Sequence, residues 1–153
     1  MIFCVPHHRR CLFLGNLQGS WYAPSSRVAG ARHFRDLVCW QLSQELKIEL
    51  YRLVERPQVK RDFRFYEQVR DAAASAPRNI AEGFGRRTHA EFARYLDIAR
   101  GSLAECQNHR QDGLDRGYFD AEEFKRLNIL SGRTCGAVAG MQRYLRGRNR
   151  RTG

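Results

Sequence analysis

The sequence has no apolar run of 18 residues or more, so no membrane-spanning helix is expected. Its 153 residues hold only four prolines, which leaves long stretches open to unbroken helix. Cysteine is sparse and unpatterned: Cys4, Cys11, Cys39, Cys106 and Cys135 form no Cys-x-x-Cys pair and no Cys/His group at zinc spacing. An odd count argues against a disulfide framework, and Cys39, Cys106 and Cys135 fall where small hydrophobes pack on apolar helix faces. Lysine is nearly missing, at three against 24 arginines. Acid is missing from both ends. Residues 1–33 carry four Arg and no Asp or Glu, and residues 143–153 carry five Arg and none, while residues 34–142 hold 18 basic and all 16 acidic residues. The net charge of +11 therefore sits at the ends of a nearly neutral body. The N-terminal apolar stretch is too short, and lacks a small-residue cleavage site, for a secretory signal, so the expected location is cytoplasmic.

What is present reads as one folded domain. Hydrophobic residues make up 42% and charged residues 28%, the range of globular chains with a core. Residues 1–33 show no sustained period and are expected to be disordered or loosely attached. Helical spacing begins at Phe34 and predicts helices over about 34–56, 62–83, 88–116 and 120–145, with a basic tail at 146–153. Pro57 ends the first helix, and Pro77 should kink the second. Gly83 and Gly85 are expected to stop the second helix in left-handed conformation. Thr88-x-x-Glu91 and Asp120-x-x-Glu123 read as capping boxes opening the third and fourth helices.

Two patterns suggest contacts beyond the domain. Leu37, Trp40, Ile48 and Tyr51 form a second apolar stripe on the first helix, as if it packed against a second molecule. Gly132, Gly136 and Gly140 share a stripe of the fourth helix, at a cost of roughly 1 kcal/mol each against alanine, which calls for a neighbouring backbone.

Catalytic constellations are lacking. No His accompanies Asn79, Glu82, Ser102 and Glu105 in their motifs, and Glu105-x-x-x-His109 has the wrong spacing for a di-metal bundle, so neither enzyme activity nor a cofactor or metal is expected. Asn79, Glu82, Arg100, Ser102 and Glu105 are expected to form a hydrogen-bonded network that fixes helix pairing or lines an interface. Arg143, Arg146, Arg148, Arg150 and Arg151 suit salt-dependent, sequence-tolerant contact with RNA or DNA phosphates. Arg86 and Arg87 would add a second basic spot beside the N-terminus of the third helix. The competing class is a protein–protein scaffold or adaptor with no nucleic-acid role.

The segments Phe34-Arg-Asp-Leu37-x-x-Trp40-Gln41-Leu42, Asn79-Ile80-Ala81-Glu82-Gly83 and Gly101-Ser102-Leu103-x-Glu105 resemble the bacterial four-helix bundle family, also called the 23S rRNA intervening sequence (S23) proteins. The resemblance spans roughly residues 34–145. It implies an all-α, up-down antiparallel four-helix bundle that forms a symmetric homo-oligomer, a pentamer among the options. It also implies kinship with the accessory protein of diversity-generating retroelements, a basic partner of a reverse transcriptase that contacts nucleic acid. Ala76 and Cys106 depart from the family pattern, where larger aliphatic residues are usual.

Overall fold

The structure is a computed structural model that describes residues 30–149, with side chains to Gly147. Residues 1–29, the Arg148 side chain, Arg150 and Arg151 lie outside the described residues, and with them the expectations placed there. A short 3-10 turn, Phe34–Asp36, leads into α1 (Val38–Val54), α2 (Pro57–Lys60), α3 (Phe63–Phe84), α4 (His89–Asp115) and α5 (Ala121–Asn149). No strand occurs among the described residues.

Polar caps fix where these helices start. The Thr88 hydroxyl accepts from Glu91 N at 3.2 Å while the Glu91 carboxylate accepts from Thr88 N at 3.2 Å. Asp120 and Glu123 repeat the exchange at 2.8 and 3.0 Å, so both expected capping boxes form. Asp62 caps α3 by accepting from Phe65 N at 3.2 Å. The first helix differs from the sequence reading. Leu37 is extended (φ −78°, ψ 123°) and separates the 3-10 turn from α1, and the Asp36 carboxylate caps that turn by accepting from Arg32 N and His33 N. Pro57 does more than end a helix: it opens α2 from its first turn, where its missing N–H costs nothing.

Helix ends require a larger correction. Neither Gly83 nor Gly85 is left-handed: Gly85 has φ −75°, and Gly83 is a buried residue inside α3. A Cβ at Gly83 would stand 2.6 Å from Phe92 Cδ2 and 2.7 Å from Tyr95 Cβ, so glycine is needed there for the close approach of α3 to α4. A left-handed glycine stands instead just past α4, at Gly117 (φ 71°). Its N–H donates to Leu114 O at 2.9 Å and Tyr118 N donates to Gly113 O at 2.8 Å, the paired bonds of a Schellman ending. α3 runs as one helix across the buried Pro77. α5 continues to Asn149, four residues past its expected end, so the start of the basic tail is helical.

Hydrogen bonds between helices set the direction of each neighbour. Ser75 meets Ser102 and Glu82 meets Tyr95, so α3 and α4 run oppositely. Arg100 meets Gln142 and Gln107 meets Ser131, which reverses α5 against α4. Tyr51 meets Arg70 and Tyr66 meets Glu55, which reverses α3 against α1. Thr134 meets Leu42 and Glu123 meets Arg56, which does the same for α5 and α1. The enclosed core includes Leu50, Ile80, Leu96, Leu103, Val138 and Leu145, all under 2% exposed. Each such side chain contributes about 1.5–3 kcal/mol through removal from water.

The second stripe of α1 is largely used within the domain. Leu37 is buried, Trp40 packs edge-on against Phe34 at 5.1 Å, and the Tyr51 hydroxyl donates to Arg70 O at 3.4 Å. Ile48 remains 54% exposed. The glycine stripe of α5 has no neighbouring backbone among the described residues: a Cβ at Gly132 or Gly136 would meet nothing within 4 Å, and one at Gly140 only the Arg143 Nη2 at 3.9 Å. Gly136→Ala is therefore expected to stabilise the isolated chain by about 0.5–1 kcal/mol in urea denaturation. A loss of stability would mean that another molecule's backbone lies on the stripe.

Candidate nucleic-acid interface

The helix directions bring three basic segments, separate in sequence, to one end of the molecule. α5 arrives there against the start of α4. Gln142 Nε2 donates to Ala93 O at 3.2 Å, and Arg146 Nη2 donates to Asp97 Oδ2 at 3.0 Å across an exposed ion pair. Leu145, fully buried, anchors the last turns. The α3–α4 turn with Arg86 and Arg87 joins the same end of α4. The 3-10 turn with Arg32 and Arg35 joins it too, because α1 runs opposite to both α3 and α5. A shallow cavity of about 180 Å³ lies between α4 and α5 here, with His89, Arg94, Asp97 and Arg146 among its walls.

The individual arginines differ in how far they are engaged. Arg86 bonds to the Glu82 carboxylate and the Tyr95 hydroxyl and lies 4.7 Å over the Tyr95 ring, while Tyr95 OH donates to Glu82 Oε1 at 2.9 Å. The N-terminus of α4 already holds an anion, since the Thr88 side chain and backbone keep the Glu91 carboxyl below its usual range. Arg146 shares Asp97 with Gln142, and Arg143 is exposed. Arg32, Arg35 and Arg94 were not singled out in the sequence. Nothing in their local pattern marks them, and only the helix directions place them with the others.

At the opposite end two arginines, Arg56 and Arg116, are paired with carboxylates. Arg56 bonds both carboxylate oxygens of Glu123 and donates to Tyr118 O at 3.2 Å, and the Glu123 side chain is only 8% exposed. Arg116 reaches Asp62 at 2.9 Å and Asp112 at 2.8 Å. The Arg56 guanidinium holds the Glu123 carboxyl below the ordinary carboxylate range.

The network expected of Asn79, Glu82, Arg100, Ser102 and Glu105 divides into three. Asn79 Nδ2 donates to Ser75 O at 2.8 Å, and Ser102 Oγ donates to Ser75 Oγ at 2.7 Å, which pins α3 to α4. Glu82 belongs to the Arg86–Tyr95 group, and Arg100 Nη1 donates to Gln142 at 3.3 Å. Glu105 is exposed and joins none of them. Gly101 is open on the surface of α4.

Burial pushes the Cys39 thiol up to about 11 and the Cys106 thiol up to about 12, so both stay protonated, poor nucleophiles near neutral pH. Among the described residues no group of three His, Cys, Asp or Glu side chains is arranged to hold a metal ion, and no helix is long and apolar enough to cross a membrane.

A comparison with curated proteins returns no match. The family model described as 23S rRNA-intervening sequence protein matches residues 35–136, from the 3-10 turn into the middle of α5. On that match, and with the all-helical architecture behind it, the chain belongs to the 23S rRNA-intervening sequence protein family.

Proposed function

We propose that this protein is a non-catalytic, up-and-down four-helix bundle that binds the phosphate backbone of nucleic acid through its arginine-rich end. The observation that carries the reading is the continuation of α5 as helix to Asn149, into a stretch of five arginines and no acid between residues 143 and 153. By the helix directions that helix ends at the same end of the fold as the Arg86–Arg87 turn and the Arg32–Arg35 segment. The antiparallel pairings of α1 with α3, α3 with α4, α4 with α5 and α5 with α1 support the up-and-down arrangement.

The family's name makes structured RNA, ribosomal RNA first, the leading nucleic acid to test. The basic stretch at 143–153 lies beyond the matched span. Assembly into a homo-oligomer, with a pentamer as one form, would present several such ends together and raise avidity. A reverse transcriptase is the protein partner that kinship with retroelement accessory proteins puts forward.

Neutralising Arg143, Arg146, Arg148, Arg150 and Arg151 together as Gln is expected to weaken binding to a fluorescein-labelled RNA hairpin by a hundredfold or more at about 0.1 M salt, read by anisotropy. Unchanged affinity would contradict the reading. A scaffold or adaptor role without nucleic acid is the second reading. The open stripe at Gly132 and Gly136 favours it, being shaped for close approach by another molecule.

A further inference from the structure

Far from the arginine-rich end, Arg110 of α4 is a cation without a counter-ion among the described residues. It is 9% exposed, and its Nε is sealed from solvent with no acceptor. Its guanidinium lies 4.9 Å from the centroid of the Phe124 ring on α5. No carboxylate pairs with it among the described residues. Burying an unpaired guanidinium is costly, and a hydrophobic residue of similar volume would fill the space more cheaply. Stacking on an aromatic face does not by itself satisfy the in-plane N–H donors.

We infer that Arg110 is the anchor of an oxyanion-binding recess in the α4–α5 seam, and that its ligand is a carboxylate. A guanidinium presents its N–H donors in a planar fork, and a planar carboxylate matches that fork with two parallel hydrogen bonds. A single negative charge suits the position better than a phosphate dianion, because Asp112 and Asp115 stand on the last turn of α4 just beyond it. The site is separate from the nucleic-acid surface proposed above and does not depend on it.

The test is thermal unfolding of the full chain in acetate, phosphate or chloride at equal ionic strength, for wild type and for Arg110→Met. Met keeps the volume and removes the charge, so the variant is expected to fold. At acetate tenfold above its dissociation constant, wild type should gain about 5 °C over its value in chloride, and Arg110→Met should gain nothing. Equal shifts in both proteins would overturn the site, and a shift in phosphate without one in acetate would overturn the carboxylate. The side-chain Nε–H of Arg110, shielded from water, gives a second reading in the wild-type chain by nitrogen-edited NMR. Its resonance should move on adding acetate and saturate, and a resonance that stays put would likewise overturn the proposal.

Discussion

Gly113→Ala is expected to destabilise the protein by about 2–3 kcal/mol, although alanine is the better helix former at an ordinary position. A Cβ at Gly113 would sit 2.3 Å from Phe119 Cε2, 2.5 Å from Cδ2 and 2.9 Å from Cζ. The ring cannot easily retreat: Phe119 is 2% exposed and packs 6.2 Å from the Phe65 ring. Its own N–H donates to Gly113 O at 3.2 Å, so ring and glycine are bound through the same turn. Urea denaturation of the variant, with and without Phe119→Leu, isolates the clash, since the smaller side chain should recover part of the loss. A Gly113→Ala protein as stable as wild type would show that the α4–α5 turn is looser than this geometry.

The second large effect is expected at Glu123. Its carboxylate receives the Arg56 guanidinium, accepts from Asp120 N at 3.0 Å and closes the cap of α5, all at 8% side-chain exposure. Glu123→Gln leaves Arg56 facing a neutral amide, with a loss of about 2–4 kcal/mol once the partial exposure of Arg56 is allowed for. The pH dependence has a defined sign. The folded-state pKa of Glu123 is depressed, chiefly by its bond to Arg56, so its contribution is fully present above the unfolded carboxylate value, about 4.3, and is lost as pH falls through the lower folded value. The stability gap between wild type and Glu123→Gln should therefore be constant near neutral pH and narrow below about pH 4. A gap that stays constant into acid would remove the ion pair from the account.

These two sites also show what the sequence could disclose. Helix starts were legible because Thr88-x-x-Glu91 and Asp120-x-x-Glu123 are local: each cap closes within four residues. A buried face is local in the same sense: Leu46, Leu50 and Leu53 of α1 repeat at helical spacing and are buried. Glycine was ambiguous because its two uses look alike in one dimension. Gly83 reads as a helix stop and is instead a point of close approach to Phe92, whereas Gly113, inside a polar stretch, is pressed against a ring that follows it. Pairings that depend on which helices become neighbours left no local trace. Arg56 with Glu123 is separated by 67 residues, and the convergence of Arg32, Arg86 and Arg146 required the helix directions. Arg110 was passed over because an arginine in a charged stretch reads as solvated, and only its burial sets it apart.

The central claim is that phosphate contacts come from the arginine-rich end, and a salt series on the full chain tests it most directly. Affinity for a DNA duplex and for an RNA hairpin would be measured from 50 to 300 mM salt, for wild type and for the variant with glutamine at Arg143, Arg146, Arg148, Arg150 and Arg151. The log–log slope for wild type on duplex DNA should be steep and should flatten by roughly 0.9 for each arginine that contacts a phosphate, about 4.5 if all five do. Equal slopes for the two proteins, or no binding by either, would contradict the account and leave the scaffold reading in its place.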